Sequence, residues 1–346
     1  MRVAVAQPLP GIGDMIWHLP HIRAIAAHVG GPVTLIAKPR SAADQIFGGE
    51  RTVRDVFWLD RNPEGRTGRH DGVFGWPRLV RSLRARGFEA IYVLHHSKSL
   101  ACLAMLAGIP ARYGYGYGTQ RLFLNRPPWL PASVYAEHPF DQASQWLRAA
   151  GIPMAEAEPI LPVTEAAMAA VRGRAGVVGT RPITLGIGSS EPYKQWGAAR
   201  YAALADALAP RPVILVGGKA EAALAAEIQA LARDARPALA IGWTLEEVAA
   251  LFSLSAYYIG NDTGVMNMAA AVGLRTYGLF GGVPPFHHSS RIVPILPPGG
   301  VSKADGMARL TVEQVLRAVE AEQASLGQPP LGQASPSVSP VERSRC

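Results

Sequence analysis

Two glycine turns in this 346-residue chain have residue types that could do chemistry. The first is Gly11-Ile12-Gly13-Asp14, lying between the apolar run "RVAVAQ" and the amphipathic stretch "LPHIRAIAAHV". A glycine turn between a strand and a helix usually offers helix N-terminal amides to an anion. This one supplies its own carboxylate, Asp14, which would repel a bound pyrophosphate. Position 16 is Ile rather than the third glycine of the dinucleotide fingerprint, so nicotinamide binding is excluded. Asp14 has two compatible roles. It can be the N-cap of a helix running from Met15. It can also be a general base, kept ionised at low pKa by the helix amides and facing a cleft, where it takes a proton from an attacking hydroxyl.

The second turn is Asn261-Asp262-Thr263-Gly264, between "AYYIG" and a helix opening with Val265, Met266 and Asn267. Here no acid follows the glycine. The amides after Thr263 and Gly264 form a diphosphate site, and Asp262 is either a turn former or a ligand to sugar hydroxyls. Earlier in the same half, Ser189, Ser190 and Lys194 follow the run "ITLGIG" and suit a phosphate, although the spacing is not that of a P-loop. The adjacent pairs His287-His288 and His95-His96 lack acidic or cysteine partners, so no metal is assigned; the second pair reads as polar contacts in the cleft.

Elements able to position these turns follow from the alternation of short β-branched runs with helical stretches. It appears once in each half, with a Pro-rich interval between. The fold class read from this is α/β, with two Rossmann-like, doubly wound parallel-sheet domains facing across a cleft. Ligands then sit at the carboxyl ends of the strands. Boundaries are expected at 1–160, 161–322 and a disordered, Pro/Ser-rich tail at 323–346. The net charge of +8 lies wholly in the first half, which has 18 Lys and Arg against 10 Asp and Glu, whereas residues 151–346 have 16 of each. That half should meet something anionic. No recognised nucleic-acid module is present, and nucleic acid is not an expected partner. Two cysteines, Cys102 and Cys346, make no disulfide framework. The sequence shows no membrane span and no leader, so a cytoplasmic location is expected.

Five segments in register resemble glycosyltransferase family 9, the heptosyltransferases of lipopolysaccharide core assembly: "GIGDMIWHLPHIRAI", "LHHSKSLACLAMLAGIPARYGYGYG", "PYKQWGAARYAALADAL", "GNDTGVMNMAAAVGLRTYGLFG" and "MARLTVEQVLRAV". The resemblance implies a GT-B architecture with an N-terminal acceptor domain and a C-terminal ADP-heptose domain. It implies inverting transfer with Asp14 as base and no cofactor beyond the nucleotide sugar. It implies donor contacts from Ser189, Ser190, Lys194, Glu221, Asp262, Thr263, Gly264 and Asn267. Gly13, Lys98 and Arg112 fall on the acceptor side, facing an anionic glycolipid or glycan, with peripheral contact at the inner membrane. Two positions depart from the family pattern. Its histidine is Asn267 here, and its proline is Arg275, which could replace the missing positive charge. Restoring histidine at 267 is expected to preserve or improve turnover. Two other readings remain: a sugar-nucleotide epimerase using Glu191 or His95 as a second acid/base, and a non-catalytic binding protein of the same fold.

Overall fold

The computed structural model describes residues 1–62, 66–174 and 181–327. In the first half, strands β1 (Val3–Gln7), β2 (Val33–Ala37), β3 (Val53–Trp58), β4 (Ala90–Val93) and β5 (Ala111–Gly114) form one parallel sheet in the order β3-β2-β1-β4-β5. Around it lie helices α1 (Ile12–His28), α2 (Ala43–Ile46), α3 (Gly75–Ala85), α4 (Lys98–Leu106) and α5 (Pro139–Ala149). The second sheet contains β6 (Ile183–Gly186), β7 (Val213–Gly217), β8 (Ala238–Ile241), β9 (Tyr257–Asn261), β10 (Thr276–Leu279) and β11 (Ile292–Ile295), ordered β11-β10-β9-β6-β7-β8. Its helices are α6 (Glu165–Arg172), α7 (Ala198–Leu208), α8 (Ala222–Leu231), α9 (Leu245–Leu254), α10 (Gly264–Ala271), α11 (Gly306–Arg309) and α12 (Val312–Ser325). Every described strand pair is parallel, and β1, β2, β4, β6 and β10 are buried throughout, as crossover helices on both faces require. These are the two α/β domains of the sequence reading, each with a reversal of strand order where β1 meets β4 and β6 meets β9.

Several local expectations change. Strands β5 and β11 carry weak signals in the sequence. "ARYG" is short, and Pro294 sits inside β11, which is tolerated because β11 is an edge. The tail was expected from residue 323, where the structure still has helix. Helix α12 continues to Ser325, held by an Arg275–Glu322 ion pair and by the buried Gln323. Residues 328–346 lie outside the described residues. The boundary placed near residue 160 falls between α5 and α6, where the Leu161 N–H donates to Ala271 O (2.8 Å) in the second half. Among the described residues no helix is long and apolar enough to cross a membrane.

One apolar cluster runs through both halves, joining Met15, Ile16, Leu19 and Ile22 of α1 to Met266, Met268 and Ala269 of α10. It sets the two helices against each other at their N-termini. A Cβ on Gly13 would stand 3.1 Å from Gly264 Cα, and one on Gly264 would stand 2.7 Å from the Gly13 nitrogen. Side-chain atoms do not fit between these backbones. Gly264→Ala should therefore cost about 1–3 kcal/mol, the usual cost of overpacking, read as a lowered denaturation midpoint. Gly31→Ala, at a position with open space around it, serves as the control.

Candidate active site

The two opposed helix N-termini open onto a cleft of about 550 Å³ at the carboxyl ends of both sheets. They are finished differently. In α1 the N-cap is Gly11, and Asp14, the third helical residue, reaches back so that its Oδ2 accepts the Gly11 N–H at 2.8 Å. Asp14 is thus not the N-cap expected from the sequence, but it satisfies the cap from inside the first turn. Its backbone is held as well: Asp14 O accepts from His18 Nδ1 (2.7 Å) and from Gln7 Nε2 (3.2 Å), tying the turn to β1. In α10 the N-cap is Thr263, whose side chain makes no capping bond, so the first amides stay open to the cleft.

Asn261, buried at the end of β9, positions the loop beside that opening. Its Nδ2 donates to Ile187 O (3.0 Å) and Gly188 O (3.2 Å), and its Oδ1 lies 3.0 Å from the Tyr201 hydroxyl. Lys194, at the end of this loop, forms ion pairs with Asp262 and Glu191, each at 2.9 Å. Burial works against its charge, yet the two carboxylates prevail and raise its pKa, so it is a cation at neutral pH. Ser189 Oγ is occupied within the loop, accepting the Glu191 N–H at 3.1 Å, which leaves Ser190 as the more exposed hydroxyl. Glu221 lines the opposite wall and accepts the Gly218 N–H at 2.8 Å.

The cleft therefore brings together Gly13, Asp14, Ser189, Ser190, Lys194, Glu221, Asp262, Thr263, Gly264 and Asn267. Lys98 lies elsewhere, in a second cavity of about 600 Å³ with His95, His96, Tyr117 and Tyr135. Arg112 lines neither cavity. Its guanidinium donates to Phe123 O (2.7 Å) and Ile109 O (2.6 Å), because the chain after β5 folds back over it; it is a tie for that segment rather than an open anion contact. Arg275 is likewise engaged away from the cleft, by Glu322 and Ser290 O, and supplies no charge to it.

The sequence reading also expected a low pKa for Asp14. Burial instead pushes its carboxyl above the ordinary aspartate value, more strongly than the Gly11 N–H and the Arg40 and Lys194 charges pull it down. Arg40, Trp17, Tyr258 and Phe286 line the cleft too and were not singled out. Arg40 was accessible to the strand-end rule, since it follows β2; Trp17 stands one helical turn after Asp14. Trp17 and Phe286 belong to an aromatic wall with His138 and His288 that closes the space between the halves. Burial lowers His138 to about 3 and His288 to about 4, so both are neutral at physiological pH. His288 Nε2 donates to Asn267 Oδ1 (2.9 Å), while Asn267 Nδ2 donates to Thr263 O (3.2 Å).

The profile of glycosyltransferase family 9 (heptosyltransferase) matches residues 76–294. Lipopolysaccharide heptosyltransferase 2 of Salmonella typhimurium is 28% identical over 244 residues, 63% of this chain and 68% of that protein. Two solved structures share the fold. The family 9 glycosyl transferase of Veillonella parvula has a TM-score of 0.76 at 19% identity, covering 94% of this chain and 97% of its own. The E. coli ADP-heptose lps heptosyltransferase II has a TM-score of 0.74 at 22% identity, covering 94% and 100%.

Packing at Asn267 predicts a stability cost for histidine there. The amide is wedged between Gly13, whose Cβ would stand 3.0 Å from Asn267 Nδ2, and His288. Asn267→His overfills this space and is expected to lower stability by about 1–3 kcal/mol. Chemical denaturation of the variant beside wild type checks this; an unchanged midpoint would show that the helix contact can open.

Proposed function

The chain belongs to glycosyltransferase family 9 and is a glycosyltransferase; on that premise we propose that it transfers a heptose or related sugar from an ADP-sugar to an anionic lipopolysaccharide-core or related glycan, with inversion and with Asp14 as general base. The observation that carries this is the asymmetry of the two helix ends. One is closed by its own carboxylate and the other is open, across a single cleft. The donor diphosphate lies at the open end, on the Thr263–Gly264 amides and Lys194. The acceptor hydroxyl lies at the closed end and gives its proton to Asp14 as its oxygen bonds to the anomeric carbon. The bond from that carbon to the diphosphate oxygen breaks on the opposite side. The charge that develops there meets the α10 amides and the lysine cation. A raised pKa suits the base, because a carboxylate of higher pKa accepts a proton more readily.

Glu221, which lines the cleft after β7, would meet the nucleotide ribose. Lys98 and its cavity offer a site for an anionic part of the acceptor, in the half that carries the net positive charge. The same charge would favour peripheral attachment to an anionic membrane surface. The epimerase reading has less support. Glu191 is engaged by Tyr193 (2.6 Å) and Lys194, and His95 lines the other cavity.

Melting with ADP, UDP and GDP in turn tests the donor. A nucleotide at about 100 times its Kd stabilises by roughly 2.7 kcal/mol, and a shift with ADP alone is the expected result. A shift with UDP or GDP instead replaces the donor. Asp14→Asn tests the base. It should retain nucleotide binding and lose transfer by about 10²–10⁴-fold. Because the folded-state pKa of Asp14 is raised, its stabilising contribution is present below the unfolded value and is lost as pH rises through the folded one. The asparagine variant should therefore melt no lower than wild type at pH 7. Wild-type kcat/KM should rise with pH along the acid limb set by Asp14. Full turnover by the variant would remove Asp14 from the mechanism.

A further inference from the structure

Two tyrosine hydroxyls lie buried beneath the cleft, and only one of them is satisfied. Tyr201, on α7, donates to Gly186 O (2.8 Å) and is within 3.0 Å of Asn261 Oδ1; its role is structural. Tyr258, on β9, is equally buried and packs edge-on against Phe252, but its hydroxyl makes no hydrogen bond of normal geometry among the described residues, although the Thr263 side chain lies close by. Such a group destabilises a core, and phenylalanine would fill the same space without that cost.

The hydroxyl is also given room. Gly186 and Gly260 face each other across β6 and β9, and a Cβ on Gly186 would stand 1.7 Å from the phenol oxygen, one on Gly260 2.5 Å. Both strands thus have a glycine where the tyrosine tip passes. Tyr258 lies in the floor of the cleft with its hydroxyl just beneath the surface, close to the Thr263 side chain and the first turn of α10. A phenol there offers one O–H to an acceptor, and a phosphate oxygen at the α10 N-terminus is an acceptor with a full charge.

We propose that Tyr258 is a donor-site ligand whose hydroxyl, idle in the free protein, donates to an oxygen of the bound nucleotide's diphosphate. The inference rests on the donor reading above for the identity of the nucleotide, and on the cleft geometry for the diphosphate contact. It implies that the tyrosine costs stability in the free protein and returns affinity in the complex, so one substitution should move the two in opposite directions.

The test is calorimetric titration of inorganic pyrophosphate, ADP and adenosine into wild type and Tyr258→Phe, with melting of both free proteins. Pyrophosphate and ADP should bind about tenfold more weakly to the variant, as for a lost hydrogen bond to a charged group. Adenosine affinity should be unchanged, and the free variant should melt at or above the wild-type temperature. Tyr201→Phe, the control, should melt lower with no selective loss of pyrophosphate. Equal pyrophosphate affinity in wild type and Tyr258→Phe overturns the proposal. So does an adenosine loss as large as that for ADP, which would place the hydroxyl against the nucleoside. Wild type binding pyrophosphate but not ADP sinks the adenine-nucleotide reading, with Tyr258 still judged by the pyrophosphate comparison. Binding of neither overturns both.

Discussion

The site depends on the contact between Gly13 and Gly264, which brings two helix N-termini from different sheets to one cleft. Each end carries roughly half a positive charge, so the pair would repel if both were left open. Asp14 removes the conflict on one side: it sits in the first turn of α1 and accepts the Gly11 amide. The other end keeps its field directed into the cleft. Capping both ends would leave no site, and capping neither would place two positive ends in contact. The single acid in the first turn and its absence in the second are thus one arrangement seen from two helices.

Burial then sets the protonation states. The same exclusion of water that raises Asp14 lowers His18 to about 4 and the wall histidines His138 and His288 to about 3 and 4. At neutral pH these rings are polar but uncharged, so the main cationic groups facing Asp14 are Arg40 and Lys194. Lys194 is held before any ligand arrives, between Asp262 and Glu191, and is therefore oriented at little further entropic cost. On the proposed reading, a desolvated carboxylate and a lysine fixed by its neighbours would serve a proton transfer opposite a departing diphosphate.

Much of this was legible in the sequence, for definable reasons. Alternation of "RVAVAQ" and "PITLGIG" with helical runs gives two parallel sheets, and strand-end loops containing Asp14, Lys194 and Asp262 must face the cleft once that topology is accepted. What was not legible depends on neighbours distant in sequence. Arg112 and Arg275 look like anion ligands until the carbonyls of Phe123 and Ile109 and the carboxylate of Glu322 come to meet them. The Asp14 pKa was misjudged because local helix amides can be read from the sequence, whereas desolvation by the opposite half cannot. Strand β11 was hidden by Pro294, which only its edge position makes tolerable.

The departure at Asn267 follows from the same helix contact. Where the resembling family has histidine, this chain has a side chain short enough to lie against Gly13, with its amide oriented by Thr263 O on one side and His288 on the other. The imidazole is not lost from the region. It stands one side chain further out, on the segment after β10, where burial keeps it neutral. Its proton is committed to Asn267 Oδ1, which leaves the amide nitrogen turned toward the turn that precedes α10. A histidine at the helix would bring a titratable ring to the open end of α10. An asparagine held by a neutral histidine gives that site a fixed dipole whose orientation does not change across the physiological pH range. The α10 amides and Lys194 then carry positive charge at this end of the cleft, on the side that the Gly13–Gly264 contact holds opposite Asp14.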